Sequence, residues 1–466
     1  MSSYQPPQSA GGPPTGPAAQ AAGTARGGWY LVSVLLVCYT FSFIDRQILS
    51  LLVGPIKRDL AISDTMMGLL QGFAFALFYT LMSIPLGRIG DIGNRRKLIA
   101  AGVLVWSLMT SACALARSYT SLFLTRIGVG IGEAALSPAA FSMITDTFPR
   151  ERLSGALSVY SMGIFIGSGL ALMVGGIIVQ ATSTMSAITL PIFGSMSAWR
   201  LTFLVVGLPG LLIALWVLTL REPARRGLLR RAASESRHLS IGETFAQIRM
   251  RWGSFIGLSL GMIFQSMVVF AFMAWTPAFF QRIHHWSPRQ TGQVLGLLIL
   301  VFGCLGMYVG GRLSDRWKRA GQHDAALKVT VISALGCGLF FVPAYLIDDP
   351  VWTVVLLAPA LFFEGMPVGS AFAAVQLIFP NQVRASASAL FMFMLNLGGQ
   401  TLGPLLPALF NDDVFHSELA LGKSLAITMA IASLGMLVIM SLTRAPYRRH
   451  YEELLPQLSD VPPAGH

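Results

Sequence analysis

Asp45 and Arg46 stand side by side in the apolar stretch CYTFSFIDRQILSLL, Cys38 to Leu52. Arg126 and Glu133 lie seven residues apart in a second such stretch, and Glu364 sits in a third, ALFFEGMPVGS. A charged side chain near the centre of a bilayer costs about 2.5–3.5 kcal/mol on insertion scales, so Asp45 with Arg46 costs roughly 5–7 kcal/mol before pairing. Groups that expensive face a cavity or each other. The chemistry open to them is uptake and release of a proton. Burial favours the neutral acid, a nearby arginine favours the carboxylate, and the balance is tunable. An acid that loses its charge weakens its ion pair and biases any two-state equilibrium the pair belongs to. The alternative is a permanent ion-pair network that fixes packing.

These costs apply only if the solvent is lipid. The 466 residues are 54% hydrophobic and 12% charged, where a soluble domain carries roughly 25% charged residues. The apolar residues fall in blocks at 29–53, 64–87, 98–117, 121–146, 153–180, 199–220, 252–280, 289–312, 325–347, 351–376, 385–410 and 419–443. About 20 residues span the ~30 Å hydrocarbon layer as a helix. The expected fold is therefore an all-α membrane protein of twelve transmembrane helices. Residues 1–28, rich in Pro, Gly and Ala and without a signal-peptide pattern, read as a disordered tail, and 444–466 as a second polar tail. A basic linker over 221–251 divides 29–220 from 252–443, six helices each. The external loop over 181–199 has room for a short interfacial helix.

Net charge is +12. With both termini in the cytoplasm, roughly 24 of the 33 Lys and Arg residues fall on the inner side and about 7 outside. The charge is thus a topology signal, and nucleic acid is not an expected partner. Cys38, Cys113, Cys304 and Cys337 lie inside apolar blocks and read as small hydrophobes. No histidine falls inside a block, so no metal site or cofactor is expected, and protons are the expected coupling ion. In this topology span 1 runs outward and span 4 inward, which puts one acid and one base of each at similar depth. The expected pairs, with the outer side closed, are Asp45 with Arg126 and Arg46 with Glu133. Ser137 continues the face of span 4 that carries Arg126 and Glu133.

Span 2 ends in GRIGDIGNRRK, Gly87 to Lys97, and span 8 in GRLSDRWKR, Gly311 to Arg319. Both are Gly-x-x-x-Asp followed by bases, at the inner end of the second helix of each six-helix set. The glycine admits a close neighbour. The Asp, poorly placed at its own helix C-terminus, seeks a cation or another helix's N-terminus. A cytoplasmic latch that forms in one state and breaks in another fits, built on Gly87, Asp91, Arg95 and Arg96 in one half and Gly311, Asp315 and Arg316 in the other. A fixed helix-end cap is the plainer alternative. The duplication makes the two halves pseudo-symmetric.

The duplicated loop resembles the cytoplasmic motif of the major facilitator superfamily, over essentially the whole membrane region. The first copy departs from it at Ile92 and Asn94, where Arg and Gly are common. Within that superfamily FIDRQILSLLVGPIKRDLAISDTMMGLLQGFAFALFY (Phe43 to Tyr79), DIGNRR and RIGVGIGEAALSPAAFSMITDTFP (Arg126 to Pro149) resemble the bacterial Spinster-like branch. The resemblance is strong in the first half and generic in the second. It implies proton-responsive export of lysolipid- or sphingolipid-like amphiphiles from the inner membrane of a bacterium, by a chain acting as a monomer.

Softer features complete the reading. Glu364, in the repeat counterpart of span 4, is a second proton site, a headgroup contact, or a side chain satisfied locally. GIFIGSGLALMVGG in span 5 and NLGGQTLGP in span 11 permit close helix approach. Phe75, Tyr79, Gln265, Phe272, Asn396 and Gln400, with Ser137, are candidate cavity residues. The nearest rival is a proton-coupled drug or small-metabolite transporter of the same fold. A membrane enzyme is a distant one, because no nucleophile, base or metal cluster stands out.

Overall fold

The computed structural model of the protein describes residues 17–183, 188–190, 194–224, 248–379 and 381–459. Most of the basic linker and residues 1–16 lie outside them. Among the described residues twelve helical segments are long and apolar enough to cross a membrane, from Gly28–Leu51 to Glu418–Glu453. Each overlaps the apolar block expected for it. The cause is local: in lipid every backbone N–H and C=O must be satisfied within the segment, and only a helix does this for an isolated apolar run.

The ends and interiors depart from expectation. The first helix begins at Pro17, inside the stretch expected to be a disordered tail, and the last runs on to Ser459 through the expected polar tail. Tyr447 and Tyr451, both buried against the second half, anchor that extension, and it carries His450. The 181–199 loop forms an antiparallel hairpin, Ile188–Leu190 with Gly194–Met196, rather than a helix. Span 4 breaks into Tyr119–Glu133 and Leu136–Thr147, and span 10 into Pro350–Gly365 and Val368–Leu377. Span 8 carries a π-helical turn at Ile299–Gly303.

A tight seam joins the two halves. A methyl built on Gly72 would lie 2.5 Å from the Gln400 carbonyl oxygen, and one on Gly68 2.7 Å from that of Pro404. On the other flank, methyls on Gly176 and Gly169 would lie 2.5 and 2.7 Å from the carbonyls of Pro288 and Gly296. Spans 2 and 5 thus press directly on spans 11 and 8, as the glycine-rich runs of spans 5 and 11 suggest. All these contacts lie toward the end of the molecule opposite the linker, here called the far end.

A charge cluster closes that far end. Asp64, fully buried at the start of span 2, accepts from Lys57 (2.6 Å), from both terminal nitrogens of Arg282 (2.9 Å) and from Asn411 (2.9 Å). Lys57 also meets Glu418 at 2.7 Å. Asp412, from the second half, accepts from the Thr65 backbone N–H at 2.6 Å, so a carboxylate of one half caps a helix N-terminus of the other.

The linker end is arranged differently. Methyls on Gly87 and Gly311 would meet nothing within 4 Å, so neither glycine of the expected latch is a point of close approach here. Arg95 is bound within its own half to Glu222 (2.8 Å), Ser142 (2.8 Å) and Asp146, and Arg96 donates to the Leu218 and Leu220 carbonyls. In the second half Arg319 donates to the Asp315 carbonyl within the same helix. The Asp91 side chain lies outside the described residues. The basic residues at this end thus take partners on their own side of the seam rather than across it. A matching hub of opposite sign precedes span 9, where buried Asp324 accepts from Arg444 at 2.7 Å, with Lys328 and Arg448 each 3.6 Å away.

Two predictions follow from these clusters. Asp64→Asn leaves Lys57 and Arg282 under-compensated, and breaking a buried pair costs about 3–5 kcal/mol. The far end should then open more often, lengthening the spin-label distance between Ser183→Cys and Gln290→Cys; an unchanged distance distribution would show that the cluster does not hold the closure. At Asp324, burial pushes the carboxyl up, but Arg444, Lys328 and Arg448 more than offset this and hold it below its usual range. Its folded value is depressed, so its stabilisation is present above the unfolded value and is lost as pH falls through the folded one. Asp324→Asn should cost about 1–3 kcal/mol at neutral pH and flatten the acid side of a thermal-unfolding profile.

Candidate functional site

Midway between the halves lies a cavity of about 250 Å³. Spans 1, 2, 4 and 5 line it from one side, and spans 7, 10 and 11 from the other. Arg46 projects into it from span 1. Its Nε and a terminal nitrogen meet Glu133 Oε2 at 2.6 and 2.5 Å. Glu133 is the last residue of its half-helix, so the break in span 4 brings the carboxylate to the seam with span 1. Three rings surround the guanidinium: Phe75 at 4.3 Å, Tyr79 at 5.0 Å and Phe43 at 5.4 Å from centroid. A cation over aromatic faces in a desolvated place gains about 2 kcal/mol. Arg46 is therefore held by one carboxylate and an aromatic cage.

The other expected pair is not made through its carboxylate. Arg126 donates to the Asp45 backbone carbonyl at 3.2 Å. Asp45 Oδ1 and Arg126 Nε are buried without a hydrogen-bond partner, as is Glu133 Oε1. The cause is packing. Neighbouring side chains on a helix point about 100° apart, so with Arg46 on Glu133 the Asp45 carboxylate takes another direction, and the hydrogen bond from Arg126 goes to the Asp45 backbone. Two acids and two bases are buried together, with one ion pair formed and one pair of charges held near each other unjoined.

Of the candidate cavity residues, Phe75, Tyr79, Gln265, Asn396 and Gln400 line the cavity. Phe272 does not; it is buried against Phe341, ring centroids 5.8 Å apart. Ser137 does not either; it lies beyond the break, in the second segment of span 4. Glu364 stands behind the cavity wall, where its backbone carbonyl accepts from Gln265 Nε2 at 2.6 Å. It is the last residue but one of its half-helix, as Glu133 is the last of its own, so both repeats place a buried carboxylate at a helix break.

Gln47, Gln71, Ser168, Ser266 and Met273 also line the cavity and were not anticipated from sequence. Gln47 joins the halves by donating to the Met273 sulfur at 2.5 Å. A signal existed: Gln47 and Gln71 are lone carboxamides in apolar blocks, where an uncharged polar group is also costly. The far-end cluster was missed because its residues sit at block boundaries, where a charge is unremarkable.

The comparisons with known proteins agree with this geometry. Residues 35–404 match the family model described as Major Facilitator Superfamily. An "MFS-type efflux pump" of Mycolicibacterium smegmatis is 30% identical over 434 residues, covering 91% of this chain and 94% of its own. A probable L-galactonate transporter of Escherichia coli is 24% identical over 89% of this chain and 88% of its own. The crystal structure of a bacterial homolog of the human lysosomal transporter Spinster, inward-facing and unoccupied, superposes with a TM-score of 0.73 at 25% identity, over 92% of this chain and 98% of its own. Twelve spans in two halves with a cavity between them fit this likeness, and the chain belongs to the major facilitator superfamily.

Proposed function

We propose that this transporter exports lysolipid- or sphingolipid-like amphiphiles by alternating access, driven or gated by protons. The observation that carries the proposal is the four-charge cluster at the cavity wall, with Arg46 on Glu133 and the Asp45 carboxylate unjoined. Protonating Glu133 frees Arg46. Deprotonated Asp45 is then the nearest carboxylate in sequence to receive a cation, and re-pairing alters how spans 1 and 4 meet. In this reading the far end faces outside, the termini and linker face the cytoplasm of a bacterium, and the state described is closed outward. The chain works as a monomer in the inner membrane, with protons as the coupling ion and no other cofactor. The aromatic and aliphatic lining, Phe43, Phe75, Val269, Phe270 and Leu395 among it, suits an apolar tail.

A small organic acid is the second reading. The lining carboxamides favour it, as does the likeness to the probable L-galactonate transporter of Escherichia coli. Glu364, away from the lining, serves in either case as a second proton site.

Asp45→Asn and Glu133→Gln test the coupling. Each should lower proton-driven efflux of labelled lysolipid from proteoliposomes by at least about tenfold, since an effect of ~1.4 kcal/mol is tenfold. Each should also flatten the pH dependence of tryptophan fluorescence. Wild-type flux and pH response in both variants would reduce the cluster to a packing element.

A further inference from the structure

Five carboxamides from both halves converge on the central cavity: Gln47, Gln71, Gln265, Asn396 and Gln400. Several are not saturated. Gln71 Nε2 is a buried donor without an acceptor. Gln265 is 2% exposed and spends its donor on the Glu364 carbonyl, which leaves Oε1 a buried acceptor without a donor. The fully buried Ser168 hydroxyl, also lining, has no partner. Gln400 donates to Asn396 at 3.1 Å, which aligns the two amides on the span 11 side. Leaving a buried polar group unpaired costs about 1–3 kcal/mol. Several around one cavity mark a place where a guest supplies both donors and acceptors.

The charges narrow the class of guest. The lining holds two cations, Arg46 and Arg126, and no carboxylate. An ammonium group therefore finds no counter-ion there. An anion must take Arg46 from Glu133 or draw Arg126 off the Asp45 backbone carbonyl. A hydroxyl both donates and accepts, as the orphaned carboxamide and serine atoms require. The volume narrows it further. About 250 Å³ lies below the ~300–1,000 Å³ of sites that enclose a drug-sized molecule, so the polar part enclosed is of the order of one sugar ring.

We infer that the cavity selects an uncharged, polyhydroxylated headgroup, such as the glycosyl group of a single-chain glycolipid, over a phosphate or ammonium headgroup. This rests on the amphiphile reading above and specifies the end of the molecule that reading leaves open.

The test uses the full chain in phosphatidylcholine nanodiscs, with binding followed by intrinsic fluorescence against empty discs. Trp275 is a built-in reporter, because its indole donates to the carbonyl of cavity-lining Pro404 at 2.7 Å. The probes are octyl glucoside, octyl phosphate, octyltrimethylammonium and glucose. Octyl glucoside should bind tightest of the four. Gln71→Leu and Gln265→Leu should each weaken it about tenfold, the loss of one buried hydrogen bond with its partner stranded, and leave octyl phosphate within twofold. Gln400→Leu gives an independent arm should Gln265→Leu fold poorly. Tighter binding of octyl phosphate or octyltrimethylammonium, or indifference of octyl glucoside to Gln71→Leu and Gln400→Leu, would overturn the headgroup assignment while amphiphile transport stands. Glucose binding as tightly as octyl glucoside would support the headgroup and overturn the amphiphile. Failure of all four to bind would overturn both.

Discussion

Burying two acids and two bases between spans 1 and 4 is the constraint on which the rest of the molecule turns. Lipid offers them no water, so they must find one another or line a cavity. The break in span 4 delivers Glu133 to Arg46, and the aromatic cage of Phe43, Phe75 and Tyr79 shields the guanidinium from its remaining neighbours. What is left over, the Asp45 carboxylate and part of Arg126, is a polar demand that packing has not met. A structure optimised only for stability would have joined that second pair or replaced it with apolar residues.

The same economy appears at the interface between the halves. Glycines at 68, 72, 169 and 176 let backbone meet backbone across the far half of the seam, with no side chain to hold the halves at a distance. The Asp64 cluster then adds charge to close contact. Such a seam depends on its polar groups staying paired, because breaking a buried ion pair is costly. At the linker end the opposite holds. The Arg95 and Asp324 hubs satisfy their charges on their own side of the seam, which ties the helix ends of each half together. Halves tied internally, with a separable seam between them, are what rocking about a central site needs. The helix breaks in spans 4 and 10 each carry a buried carboxylate, Glu133 paired with cavity-lining Arg46 and Glu364 behind the cavity wall.

Much of this was legible in the sequence, for identifiable reasons. All twelve spans were, because bilayer insertion sums free energies along a single segment and takes no account of the neighbours. The outlying charges Asp45, Arg46, Arg126, Glu133 and Glu364 were legible for the same reason: each is an exception to a local rule. The repeat was visible because its two copies share a spacing. Gln47 and Gln71 broke the same rule more quietly, and the far-end cluster broke none, since Asp64, Arg282 and Glu418 lie where charge is ordinary.

Sequence alone thus determined the solvent, the number of spans, the two-fold repeat and the residues too costly to be incidental. Tertiary structure decided that Arg46 rather than Asp45 makes the ion pair, that Ser137 and Phe272 turn away from the cavity, and that five carboxamides from both halves meet in one place. It also decided which end of the seam is shut. The division follows from the physics. Insertion and helix formation depend on each segment's own residues. Pairing depends on distances of a few ångströms between segments far apart in the chain, and those are set only when all twelve helices pack at once.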